Sequence, residues 1–286
     1  MTAADVAGML PTFPCGHRGT VMELSALYQY PIKGIAGRAL TEAELEPRGL
    51  RDDRRWLLVD ADGRFLSQRE RPVMAQVRAE PEAGGWRVQA PGQASLLLQP
   101  PAANAARLAV TVWGDTVEAP LADPASAVWF SAVLGQPVRV VYMDAAAVRP
   151  VDPDYAAAGD QVSFADGFPL LIANEASLAD LSERIGEPLS MARFRPNLVI
   201  RGAEAWAEDG WRRLRIGEVE IDLVKPCARC QVTTLDPATA EPHPRQEPLR
   251  TLAQFRKQQG KVMFAVNAIP RRGGLLRLGQ RVEVLA

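Results

Sequence analysis

Between Met22 and about Val117 the chain is cut into short strand-like runs by glycine, proline and aspartate, and this spacing constrains the fold most. Glu23–Tyr28, Arg55–Val59, Phe65–Ser67, Val73–Arg78, Trp86–Gln89, Ser95–Gln99 and Val110–Trp113 all read as strands. Asp60-Ala61-Asp62-Gly63 between two of them is a hairpin signal. Many short strands joined by turns predict a small barrel or sandwich. The chain is long enough for one large domain or two small ones, at 286 residues. Its 47% hydrophobic and 23% charged residues suit a globular protein with a true core. A net charge of −1 calls for neither nucleic acid nor an acidic membrane surface as partner.

No apolar run approaches the ~18 residues of a membrane helix, so no membrane partner is expected. Residues 1–20 lack a basic start and a greasy core, so they do not read as a secretory signal. They read instead as a flexible leader carrying Cys15 and His17, with the folded unit beginning near Met22. Three cysteines cannot build a disulfide framework, which predicts a reducing compartment and a cytoplasmic location.

Helical signals begin later. Asp123 reads as an N-cap, Pro124 as the first helical residue and Gly135 as the stop, with Val128 and Ala132 sharing a face with Gly135. Val138–Tyr142 reads as a strand and residues 144–160 as a surface loop. Asn174 can cap a helix through Ile185, with Leu178, Leu181 and Ile185 on one stripe and Gly186 ending it. Leu198–Arg201 reads as a strand, Leu249, Leu252 and Phe255 mark a third helix, and Val262–Val266 and Gln280–Leu285 are closing strands.

The chemistry concentrates in Lys225-Pro226-Cys227-Ala228-Arg229-Cys230-Gln231. Val219, Ile221 and Leu223 alternate with polar residues in the strand leading in, and Pro226 is expected to stop regular pairing. Four readings compete. A closed zinc site needs four ligands, and only Cys15, His17 and His243 remain as further Cys or His. A redox dithiol wants a helix after the first cysteine, whereas Val232-Thr233-Thr234 reads as continuing strand. Inert buried thiols are a third reading, less suited to a setting with Lys225 and Arg229. The fourth is one thiolate bound to a soft metal that brings its other ligands with it, the two cations favouring the thiolate.

At these residues the chain resembles the MOSC-domain proteins (molybdenum cofactor sulfurase C-terminal domain). Lys225–Pro237 resembles their cysteine motif, Phe194-Arg195-Pro196-Asn197 their F-R-P-N strand, and Phe164–Leu171 with Asn174–Leu178 the loop and helix start. Tyr30-Pro31-Ile32-Lys33-Gly34 and Gly49–Trp56 resemble the associated N-terminal β-barrel domain. Within the family the chain resembles the mitochondrial amidoxime reducing component and its bacterial relatives. The resemblance implies an α+β, β-rich fold. Residues 21–120 would form a small β-barrel-like domain, packed on a mixed β-barrel and α MOSC domain of residues 121–286. It also implies a metal-binding oxidoreductase in which a molybdenum cofactor (molybdenum–molybdopterin) reduces N-hydroxylated compounds. Small N-hydroxylated molecules and a separate electron-donor protein would be its partners. The alternative function is a non-redox carrier of the cofactor, or of sulfur as a cysteine persulfide.

By the same resemblance Cys230 is the catalytic molybdenum ligand. Lys33, Gly34, Arg54, Asp166, Phe168, Arg195, Asn197, Ala228, Arg229 and Asn267 would line the cofactor. Gly34 stands where a serine is common, and Asn267 where animal relatives carry an aromatic residue. The residues carry part of this on their own. Arg195 enters a segment that reads as buried, where a charge must be paired. Asp166-Gly167 is equally a plain turn, Asn197 can bridge backbone groups, and Cys227 fits beside the ligand rather than as one. The proline-rich loop around His243 and Glu247 reads as surface, and no general acid is evident.

Overall fold

The computed structural model describes residues 21–286, so the expectations for residues 1–20, Cys15 and His17 lie outside the described residues. The protein is β-rich. Its largest sheet runs, edge to edge, Val282–Val284, Arg213–Ile216, Val219–Ala228, Lys261–Arg272, Leu170–Asn174, Leu198–Arg201, Glu23–Gln29 and Arg38–Leu40. Only Leu170–Asn174 and Leu198–Arg201 pair parallel. The first strand of the chain thus sits beside a strand from its second half, with Arg38–Leu40 at the edge outside it. Leu24, Leu27, Ile172, Leu198, Ile200, Leu214, Ile216 and Ile221 fill one core under this sheet. Each such side chain contributes about 1.5–3 kcal/mol by leaving water.

The sheet curls. Leu24 N donates to Gln280 O at 2.9 Å and Val282 N to Met22 O at 2.8 Å, bringing one end back toward the other. No continuous ladder follows, so among the described residues the expected barrels are open sheets rather than closed ones. The rest of the first half forms small sheets: Trp56–Val59 with Arg139–Tyr142, the hairpin Arg107–Val112 with Asp115–Pro120, and Arg78–Glu82 with Gly85–Gln89 and Leu96–Leu98. Ile32, Trp56, Leu58, Met74, Val88, Phe130 and Leu134 form their second core.

Three helices form, two of them with the caps expected. In α1, Pro124–Leu134, the Asp123 side chain accepts from Ala125 N, and Gly135 turns the chain at φ 65°. In α2, Glu175–Ile185, Asn174 caps and Gly186 stops at φ 82°. The third, α3, is Leu249–Phe255. The face of α1 differs from expectation: Ser126, Phe130 and Leu134 are buried, while Val128 is 70% exposed. The Asp60–Gly63 turn forms, with Asp60 Oδ1 accepting from Asp62 N and Arg64 N, both at 2.9 Å, but Phe65–Ser67 is not the expected strand: Phe65 makes only an isolated bridge to Val59.

Three further local expectations fail for physical reasons. Val73–Arg78 is not a strand: Pro72 starts a 3₁₀ turn, Pro72–Gln76, that buries Met74 and Ala75. Pro226 does not end its strand, which runs to Ala228. It sits between two register shifts, where its missing N–H breaks no regular ladder. Val232-Thr233-Thr234 does not continue as strand. Cys230 O accepts from Thr233 N at 3.0 Å and Thr233 Oγ1 at 2.9 Å, closing a 3₁₀ turn over Gln231–Thr234.

Candidate functional site

A turn after the short strand Gly49–Leu50 carries Asp53 and Arg54 back under Tyr30. Tyr30 N donates to Asp53 Oδ1 at 2.7 Å, and Arg54 N to Tyr30 O at 2.7 Å. Arg195 arrives from the other half of the chain, closing the 3₁₀ turn Met191–Phe194. Both arginines have left-handed backbones, φ 49° for Arg54 and φ 55° for Arg195, costing about 1 kcal/mol each. Their guanidinium carbons lie 4.1 and 4.3 Å from the centroid of the Tyr30 ring.

The two are satisfied differently. Arg54 Nη1 donates to Asp53 Oδ2 at 2.5 Å and to Asn197 Oδ1 at 3.0 Å. Asn197 also accepts from Leu171 N at 3.2 Å and donates to Tyr28 O at 3.2 Å, tying Arg54 to two strands of the large sheet. Arg195 Nη1 donates to Ile35 O at 2.6 Å, and no carboxylate among the described residues pairs with it. Burial, aided by the Arg54 charge, lowers Arg195 to about 10.

Lys33 lies nearby, its side chain 8% exposed and its Nζ 2.5 Å from Asp166 Oδ1. Burial draws the ammonium below its ordinary value although Asp166 pushes back. Burial likewise acts to raise the Asp166 carboxyl, but Lys33, the Trp113 indole N–H (3.2 Å) and Arg54 outweigh it and hold it well below the usual range. The Asp166 side chain is open, 78% exposed, and water in the hollow weakens this pairing. Its loop is fixed from behind by Arg149, which is 2% exposed. Arg149 donates to the carbonyls of Ser163, Ala165 and Asp166 and pairs with Asp115 at 2.7 Å.

The strand Val219–Ala228 delivers the cysteines. Cys227 and Cys230 are free and half-buried. Arg229 Nη1 donates to Cys227 Sγ at 2.9 Å and Nη2 to Phe194 O at 2.8 Å, while Nε is buried without a partner. Lys225 does not flank the thiols: its Nζ is 3.8 Å from Asp152 Oδ2 and 4.1 Å from the Tyr155 ring centroid.

Lys33, Arg54, Asp166, Arg195, Cys227, Arg229 and Cys230 border one hollow of about 270 Å³ between the two halves. It is lined by Cys230 and the ten residues expected to line the cofactor: Lys33, Gly34, Arg54, Asp166, Phe168, Arg195, Asn197, Ala228, Arg229 and Asn267. The sequence reading missed Phe65, Arg69 and Trp113, which also line it. A tryptophan before glycine at a hairpin loop, Trp113-Gly114, was the available signal. His243 and Glu247 do not line it. His243 Nε2 is 2.6 Å from Glu187 Oε1, and Glu247 Oε2 accepts from Thr251 N at 3.0 Å. No group of three or more His, Cys, Asp or Glu able to hold a metal ion is found among the described residues.

A thiol at a strand end, facing a hollow lined by more cations than carboxylates, is chemically suited to a bulky anionic ligand that carries a soft centre. Residues 21–137 match the model of the MOSC N-terminal beta barrel domain, and residues 159–283 that of the MOSC domain. Mitochondrial amidoxime-reducing component 1 of Homo sapiens is 34% identical, over 93% of this chain and 83% of the human one. Its Mus musculus counterpart is 35% identical, over 83% of this chain and 72% of that one. Molybdenum cofactor sulfurase of Oryza sativa subsp. japonica is 30% identical over 86% of this chain, matching 32% of its own length. The chain belongs to the MOSC family.

Proposed function

We propose that this chain holds a molybdenum cofactor through the Cys230 sulfur and reduces N-hydroxylated compounds, amidoximes and hydroxylamines, to amidines and amines. The observation that carries the reading is one hollow in which both halves of the chain bring cations, buried Lys33 and half-buried Arg54, Arg195 and Arg229, to a strand-end thiol. The names of the relatives point the same way. The residues fit the group. Arg195 without a carboxylate and the orphaned Arg229 Nε are both answered by an anion rich in acceptor oxygens. Cys230 offers the soft donor.

When bound, the cofactor supplies two-electron oxygen-atom transfer. The chain's own part is to bind and orient. Arg54 and Arg195 are forks suited to a phosphate, pre-set by Tyr30, Asp53 and Asn197. Asp166 is held as a carboxylate, so it accepts hydrogen bonds and is not the proton source; water in the open hollow fills that role. A separate protein delivers the electrons. No helix among the described residues is long and apolar enough to cross a membrane. The proposal includes a cytoplasmic location, although the animal relatives are named for mitochondria.

Molybdenum and pterin content of the wild type, Cys230→Ser and Cys227→Ser, purified from a host that makes the cofactor, tests the proposal. Cys230→Ser should lose at least ~90% of the metal and all benzamidoxime reduction by an artificial reductant, while Cys227→Ser keeps the metal. Metal without turnover in the wild type would favour a carrier. Folded wild type without molybdenum would end the proposal.

A further inference from the structure

The hairpin Arg107–Val112 with Asp115–Pro120 pairs Val112 with Asp115, so Trp113 and Gly114 are its two-residue loop. Trp113 has φ 56°, a left-handed backbone that such loops give to glycine, asparagine or aspartate and that a bulky side chain resists. Nor does the ring help fill a core, being 47% exposed. Folding alone would place glycine there.

The ring is nevertheless held with care. Its N–H donates to Asp166 Oδ1 at 3.2 Å, its centroid is 5.0 Å from that of Phe65 at 60°, and the Arg69 guanidinium lies 4.7 Å over it. Below it, Arg149 joins Asp115 of the same hairpin to the carbonyls around Asp166, so the hairpin and the Asp166 loop move as one frame. A strained, exposed and braced indole on the wall of a hollow is built for a ligand.

We infer that Trp113 is a specificity-determining residue, against which the flat, conjugated part of the substrate stacks. This rests on the reductase reading and narrows it. The class is aromatic N-hydroxylated compounds that are uncharged at the reacting nitrogen, because Arg69 over the Trp113 ring and Lys33 over the neighbouring Phe65 ring disfavour a cation.

The test compares Trp113→Gly, which suits the loop backbone and removes the ring, with Trp113→Phe, which keeps a smaller ring. Cofactor-loaded protein is assayed with benzamidoxime and with acetamidoxime, and molybdenum and pterin are measured in each sample. The ratio of kcat/KM for benzamidoxime over acetamidoxime should fall about tenfold in Trp113→Gly, and less in Trp113→Phe, with cofactor content kept. Benzamidoxime binding to the unreduced protein, read by tryptophan fluorescence, should weaken in the same order. This binding readout tests Trp113 even if reduction itself is absent. An unchanged ratio, or loss of both activities in parallel, overturns the assignment. So does loss of pterin from Trp113→Gly, which would put the ring against the cofactor.

Discussion

Glu208, fully buried, and Arg195, half-buried, are both charges of the second half of the chain, and the molecule treats them in opposite ways. Glu208 is 0% exposed, with Oε2 accepting from Ser177 Oγ at 2.8 Å and Asn174 Nδ2 at 3.1 Å, and Oε1 buried without a partner. Burial lifts its carboxyl above the ordinary glutamate value. Sealing from water disfavours the charged form of such a group. Arg195 faces a hollow, stays cationic and has no carboxylate of its own. Burial alone therefore does not mark a ligand site. Burial with an unanswered charge and an adjoining void does.

The largest expected effect falls on the open member of the pair. Arg195→Met should retain cofactor roughly thirtyfold less well, the worth of a charge-assisted contact. The thermal midpoint of the cofactor-free protein should stay within about 3 °C, since a desolvated cation is removed and not a supporting pair. Full molybdenum retention in a variant that unfolds early would erase the contrast.

A smaller effect is expected at the sealed member. The folded state favours protonated Glu208, so it binds more protons than the unfolded chain once pH passes the ordinary value of 4.5. The stability contributed by this group is fully present below that pH and is lost as pH rises through the folded value. Glu208→Gln should raise the midpoint by about 3 °C at pH 7 and change it little at pH 4. Melting curves across that range check the sign, and a gain that shrinks with rising pH would contradict it.

The smallest effect concerns Arg69, which adds to the positive hollow. Amidoximes are neutral near pH 7, whereas their amidine products are cations, so the hollow favours substrate over product. Arg69→Ala should tighten product inhibition by benzamidine about two- to threefold, the scale of one partly screened charge. Unchanged inhibition would mean that this charge is not felt at the reacting centre.

Much of this was legible before any coordinates. The caps Asp123, Asn174, Gly135 and Gly186 are local chemistry, and local chemistry survives folding. The hollow was legible through Lys33, Arg54, Arg195 and Cys230 because their motifs resemble a family's. Trp113 was not, since its meaning lies in a positive φ and in partners about fifty residues away in sequence. Pro226 and Val232–Thr234 misled for the converse reason: propensity marks breakers and β-formers, while register shifts and side-chain hydrogen bonds decide where a strand stops. Open sheets replaced the expected barrels because closure depends on edge pairing between distant segments, which residue patterns do not encode.

The pairing of Glu23–Gln29 with Leu198–Arg201 bears on the order of events on the ribosome. Ser25 Oγ donates to Val199 O across 174 residues. At about 5–20 residues per second, the early strand waits roughly 9–35 seconds for its neighbour to be translated. Arg54 and Arg195 cannot meet across Tyr30 sooner, so a receptive cavity exists only late in synthesis. Loading of any prosthetic group must therefore follow translation past Cys230, and the nascent first segment is a natural client for chaperones in the interval.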